Sequence, residues 1–184
     1  MATAYLLPDA DVDHTWASAG SGDTGTGWDN VNDPVGSPDD DVTYITIAGK
    51  SGVVSDQCSM QDVPVDFSSA LTGLIHSRVS ISGRVDDSIN YSARATYTGG
   101  QLANFFTLTD NTSGYEDKVS ASPLDISART DTEINGGVQW NQWADTVSGM
   151  DDGALCKVTQ IYFELNYTPT GAGGNPWNAY AQQM

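Results

Sequence analysis

From Lys157 to Tyr167 the chain alternates residue by residue, with Ile161, Phe163, Leu165 and Tyr167 on one side and Gln160, Tyr162, Glu164 and Asn166 on the other. A period of two puts these sets on opposite faces of a β-strand, one apolar and one wet. A slip of one residue would turn the buried set outward, so the register of such a strand is firmly specified. Two more runs repeat the pattern. In Leu74 to Val85, Ile75, Val79 and Ile81 share a side with Ser77, and His76, Arg78, Ser80 and Ser82 take the other. In Ile89 to Thr98, Ile89, Tyr91, Ala93, Ala95 and Tyr97 face inward. The short Asp86-Asp87-Ser88 connection between them predicts an antiparallel hairpin.

Around these anchors the remaining strands are read from composition and punctuation. Val42 to Ile47 is β-branched and aromatic and follows the turn signal Ser37-Pro38-Asp39-Asp40-Asp41, so it reads as the first strand. Val63 to Phe67 alternates but contains Pro64, which confines it to an edge. Phe105 to Leu108 is a strand, Asp110 to Gly114 a turn, and Tyr115 to Ser120 its expected partner. Trp140, Trp143, Ala144 and Val147 have helical spacing, but Gly136 and Gly137 precede them, and a strand with an irregular end is the reading adopted. Pro8 to Asp41, rich in Asp, Gly, Ser and Thr, reads as a folded loop pinned by Trp16 and Trp28.

Many short strands, Gly-rich turns and no dependable helix predict an all-β, antiparallel two-sheet sandwich, jelly-roll-like, with an extended C-terminal arm. The 184 residues suit one such domain, spanning residues 1–168, followed by the Gly/Pro-rich arm 169–184. Within the arm, Asn175, Trp177 and Tyr180 have no core of their own and are the expected contacts to a partner.

Charge narrows the partners. The net charge is −17, and only Glu116, Glu133 and Glu164 of the acidic residues are glutamates. Such a chain repels nucleic acid and anionic membranes at long range, so neither is an expected partner. Aspartate also bonds its own backbone in turns, which is a structural use for most of the acid. No apolar run approaches the roughly 20 residues that span a bilayer. The N-terminus lacks the basic and apolar segments of a signal peptide, which predicts synthesis in a cytoplasm. Cys58 and Cys156 form no metal or redox motif and read as two buried thiols, although pairing in an oxidising compartment stays open.

No constellation for catalysis stands out. Glycoside hydrolysis needs two carboxylates flanking one bond, and among so many turn aspartates no pair is preferred. His14 and His76 are the only imidazoles, and no G-x-S-x-G nucleophile turn accompanies them. Zinc has no ligand set. Asp9-Ala10-Asp11-Val12-Asp13 opens like a calcium loop, but His14 stands where the loop needs glycine and Gly20 where it needs glutamate. Asp39-Asp40-Asp41 is a second acidic cluster of the same weak kind. The chain is therefore expected to be no enzyme, with no cofactor and no metal. Trp16, Trp28, Trp140 and Trp143 could form a sugar-stacking platform or simply cap the core.

The segments Trp28-Asp29-Asn30-Val31-Asn32-Asp33-Pro34, Pro38-Asp39-Asp40-Asp41 and Thr43-Tyr44-Ile45, with the late strand Val158 to Tyr167, resemble a pattern in small virion proteins of tailed bacteriophages. The resemblance spans about Trp28 to Tyr167 and leaves the arm outside. It implies a jelly-roll-like capsid decoration (cement) protein, or an accessory of the neck or tail, on the particle exterior. It implies the major capsid protein or other virion proteins as partners, and a homo-oligomer. The rival reading is a carbohydrate-binding or receptor-binding β-sandwich module, and a hydrolase on the same sandwich ranks third.

Overall fold

The computed structural model describes residues 1–23, 25–48, 53–62, 67–82, 89–97, 100–104, 106–108, 112, 114–135, 138–146 and 155–169. In chain order these form β1 (Ala2–Leu6), β2 (Pro8–Asp13), β3 (Ala17–Ala19), a turn of 3-10 helix (Trp28–Asn30), β4 (Tyr44–Ala48), β5 (Val53–Met60), β6 (Phe67–Ser82) and β7 (Ile89–Tyr97). Then follow β8 (Gly100–Gln101), β9 (Phe106–Leu108), β10 (Glu116–Val119), β11 (Leu124–Asp125), α1 (Asp131–Asn135), β12 (Gln139–Thr146) and β13 (Leu155–Pro169). The first sheet runs β10-β6-β13-β4-β3, with β1 also on β13 and β11 on β6; the second runs β2-β5-β12-β7-β8, with β9 also on β7. All pairs are antiparallel.

From β4 onward the principal strands change sheets at almost every connection: β4, β6, β10 and β13 lie in the first sheet, β5, β7, β9 and β12 in the second. The resulting orders, β10-β6-β13-β4 and β5-β12-β7-β9, are those of two Greek keys wound into a jelly roll. The expected all-β, two-sheet sandwich is therefore present. The predicted hairpin is not: β6 and β7 belong to opposite sheets, where their inward faces meet across the core. Likewise β10 pairs with β6, whereas β9 pairs with β7, so 105–108 and 115–120 are not partners. The expected 63–67 strand lies outside the described residues apart from Phe67, which opens β6, and so do all but Thr112 and Gly114 of the Asp110–Gly114 turn and the whole arm beyond Pro169.

The core fills the space between the sheets. Ile75, Val79, Ile81, Val158, Ile161, Phe163, Leu165 and Tyr167 from the first sheet meet Cys58, Met60, Tyr91, Ala93, Ala95, Tyr97 and Trp140 from the second. Cys58 and Cys156 are both buried and unpaired, and burial raises both thiols' pKa. At Gly73 the sheets and the connecting loop close up, because a Cβ there would lie 2.1 Å from the Leu102 carbonyl and 2.7 Å from the Phe163 ring. In β13 a bulge between Val158 and Gln160 reverses the alternation, so Val158 and Ile161 both point inward.

That bulge is where the N-terminal loop is sewn on. Thr159 donates to the Thr43 carbonyl (2.9 Å), and the Gln160 amide donates to the Asp33 (3.0 Å) and Pro34 (2.7 Å) carbonyls. Pro8 to Asp41 is not one loop: β2 and β3 fall within it, and β1 precedes it, so the first strand begins at Ala2. Trp16 is buried and Trp28 packs against the core, as the pinned reading required. Aspartates do much of the remaining pinning. Asp11 accepts the Gly27 and Trp28 amides, Asp33 the Asp39 amide, and Asp39 the Thr43 amide. The split signal after Gly137 resolves as β12, preceded by α1, whose N-terminus is closed by a reciprocal Thr130–Glu133 capping box.

Candidate binding surfaces on the two sheets

The outer face of the first sheet is charged and internally paired. On β6 and β13, His76 Nε2 lies 2.9 Å from Glu164 Oε2, and the imidazole stacks on Tyr162 at 4.3 Å between centroids and 11° between planes. Tyr5 of β1 meets the same tyrosine edge-on at 5.7 Å. Burial lowers the His76 pKa, and the Glu164 carboxylate partly offsets that. Two residues along, Arg78 donates to Asp40 (2.9 Å) and Asp117 (3.0 Å), which holds the 39–41 loop on the sheet. Asp41 accepts from Lys157 (3.0 Å) and the Tyr115 hydroxyl (3.0 Å). A small pocket opens between β6, β10 and β13, lined by His76, Arg78, Asp117, Lys118, Gln160 and Tyr162 among others. His76 has a carboxylate and an aromatic ring for company, which orients an imidazole but supplies no nucleophile.

Five carboxylates of the two acidic clusters in the sequence accept from protein donors. Asp39, Asp40 and Asp41 point to Thr43, Arg78 and Lys157 respectively. Asp9 accepts the Ser59 hydroxyl and Asp11 the two loop amides. Among the described residues no group of three or more His, Cys, Asp or Glu converges as a metal site would require. His14 lies 2.8 Å from the buried Asp56 carboxylate, which also accepts the Thr15 amide (3.0 Å) and the Gln142 side chain (3.3 Å). From Gln142 the network continues inward, because Tyr91 donates to its Oε1 at 2.9 Å and exchanges a second bond with Ser77 at 2.9 Å. This thread crosses the core from one sheet to the other and consumes the groups it contains.

The outer face of the second sheet differs. Pairing aligns Gln57, Asn141 and Arg94 in one row across β5, β12 and β7, and Ser55, Trp143 and Ser92 in the next. A groove lies here, lined by Ser55, Gln57, Arg94, Asn141, Gln142 and Trp143. The Arg94 guanidinium sits 5.5 Å from the Trp143 ring centroid. Asn141 donates to Thr96 (2.9 Å), and Ser92 and Thr107 share a hydrogen bond (2.7 Å). Of the seven lysines and arginines, Arg78, Lys118, Arg129 and Lys157 each pair with a carboxylate, and Lys50 and Arg84 lie outside the described residues. Arg94 has no carboxylate partner among the described residues.

The four-tryptophan platform does not assemble. Trp140 is fully buried and Trp16 nearly so, Trp28 packs on the core, and Trp143 alone of the four stands on the outer face of β12. Positions 140 and 143 are an odd number of residues apart, so a strand places them on opposite faces. The expected partner contacts Asn175, Trp177 and Tyr180 lie outside the described residues. Arg94 was not singled out from the sequence; the signal that finds it is the β12–β7 register, a long-range property.

No family model and no curated protein matches the chain. Among solved structures, it is similar to the enzymatically active domain of tailspike protein 4 from bacteriophage CBA120, at TM-score 0.41 and 9% identity, covering 90% of this chain and 19% of that one. It is similar to an Arthrobacter globiformis T6 isomalto-dextranase complexed with panose, at TM-score 0.38 and 16% identity, covering 89% of this chain and 23% of that one. A third likeness is to a structure of infectious bursal disease virus, Gx strain, at TM-score 0.24 and 11% identity, covering 94% of this chain and 37% of that one. The chain thus spans less than a quarter of the length of the first two, and the likeness in each case is distant.

Proposed function

We propose that this chain is a non-enzymatic structural protein of a tailed-phage particle, one that decorates or cements the outer capsid or head-tail region. In this reading it works as a homo-oligomer on the particle exterior, and its partners are the major capsid protein or other virion proteins. One observation carries the reading. The described residues between Ala2 and Pro169 form an inter-sheet core, and β13 keeps β6 beside it as far as Pro169. The sequence that follows carries Asn175, Trp177 and Tyr180, which this reading assigns to contact with a neighbour. An arm bearing aromatic anchors suits contact with a neighbour, where their burial must outweigh the ordering of the segment.

Two further points agree with a passive role. The described histidines and most of the described aspartates hold loops and strands together. An acidic body also suits the outside of a shell, away from packaged DNA. Truncation after Pro169 tests the reading. The shortened chain is expected to keep its far-UV and near-UV circular dichroism and to be lost from purified particles. Incorporation at the level of the full chain would overturn it.

A further inference from the structure

The outward rows of β5, β12 and β7 bring together a partly exposed indole, a guanidinium with no carboxylate partner among the described residues, and a floor of amides and hydroxyls. The geometry points to a glycan-binding groove on this face, and to an oligosaccharide carrying a single carboxylate, a uronic-acid or sialic-acid unit in an otherwise neutral chain. This assignment stands on the second sheet alone and does not depend on the virion reading.

Charge is the first constraint on a ligand. The chain holds 24 acidic and 7 basic residues, so an arginine left without a carboxylate is the exception. In the two rows that line the groove, Gln57–Asn141–Arg94 and Ser55–Trp143–Ser92, no residue is acidic. Acidic residues flank these rows: on the edge strand β2 Asp9 takes the Ser59 hydroxyl and Asp13 lies beside Gln57, and on β12 Asp145 follows Trp143 by two residues, in register with Asn90. Guanidinium donors form a planar fork that fits a carboxylate, and stacking against an aromatic ring fixes that fork in advance.

The rest of the groove suits a sugar. The indole offers an apolar surface to the C–H face of a pyranose, and Gln57 and Ser55 offer donors and acceptors to its hydroxyls. These groups stand on the middle of a sheet and are held by the Asn141–Thr96 and Ser92–Thr107 bonds, so little ordering accompanies binding. The net charge of −17 sets the upper limit on ligand charge. A dense polyanion is repelled by the whole body, whereas one carboxylate is screened from distant aspartates over about 8 Å at physiological salt.

The test is a glycan array probed with the full chain, pairing sialyllactose with lactose and glucuronate-terminated with glucose-terminated oligosaccharides. Hits are followed by calorimetry and by ¹H–¹⁵N spectra of the indole N–H groups. At least one acidic glycan is expected to bind ten-fold or more tighter than its neutral counterpart. Trp143→Ala should weaken both by ten-fold or more, and Arg94→Ala, at an exposed position, should abolish the preference for acid. Binding to neutral and acidic members alike that survives Arg94→Ala overturns the assignment. So does the absence of binding to every member at millimolar glycan, or an unmoved Trp143 indole resonance when a glycan does bind.

Discussion

Tyr91 stands where the two sheets share a polar connection, and removing its hydroxyl tests whether that connection holds them. The hydroxyl is fully buried, donates to Gln142 Oε1 at 2.9 Å and exchanges a bond with Ser77 Oγ at 2.9 Å. In Tyr91→Phe the ring stays in place against Trp16 and Phe106, so little packing is lost. Two buried polar atoms lose a partner, because Ser77 is 2% exposed and Gln142 1%. Gln142 Oε1 keeps only the long 3.4 Å contact from the Trp140 indole. Leaving a buried group unsatisfied costs about 1–3 kcal/mol, so the variant should lose roughly that amount. Ser77→Ala should cost less, since the Tyr91 hydroxyl retains Gln142. The double variant should cost clearly less than the sum of the singles, because the orphaned Ser77 is then gone. Urea unfolding followed by tryptophan fluorescence reads these values, with the midpoint falling by about 1 M for Tyr91→Phe at an unchanged slope. A midpoint within about 0.2 M of the parent, or strict additivity, would refute the claim that this thread couples the sheets.

Three other outcomes follow from the packing and the charges. Gly73→Ala should lower stability by about 1–3 kcal/mol through overpacking against Leu102 and Phe163, read as a lower thermal midpoint. Burial pushes the Asp33 carboxyl up to about 6, above its unfolded value near 3.8. The stability linked to its proton is therefore present below pH 4 and lost as pH rises through 6. Asp33→Asn should accordingly gain on the parent across that window and hold a constant difference above it, as unfolding midpoints measured from pH 4 to 7 would show. Cys58 and Cys156 should resist a thiol reagent in the native protein and react in urea, since both are buried with raised pKa values.

What the sequence disclosed was the interior of individual strands. The alternations in β6, β7 and β13 identified Ile75, Val79, Ile81, Tyr91, Ala93, Ala95, Ile161, Phe163, Leu165 and Tyr167 as core, and all are buried. Which strands pair was not legible from alternation. A strand shows the same inward face whether its sequence neighbour lies beside it or across the core, and that ambiguity produced the false β6–β7 hairpin. β2 escaped notice because only Pro8 in it is buried, so it carries no apolar period. The Thr130-x-x-Glu133 signature of α1 is present in the sequence, beside the stronger Gly136-Gly137 punctuation. For the candidate groove, Trp143 was visible but grouped with Trp140, because a spacing of three means one face on a helix and opposite faces on a strand. Arg94 could not be joined to it without the pairing of β7 with β12.

In the proposed role the jelly roll assembles through the segment that follows Pro169. Light scattering on the purified protein, as the full chain and as a chain ended at Pro169, measures this directly. A defined homo-oligomer is expected for the full chain and a folded monomer for the shortened one. A monomer in both cases, or an oligomer that survives removal of residues 170–184, would contradict it.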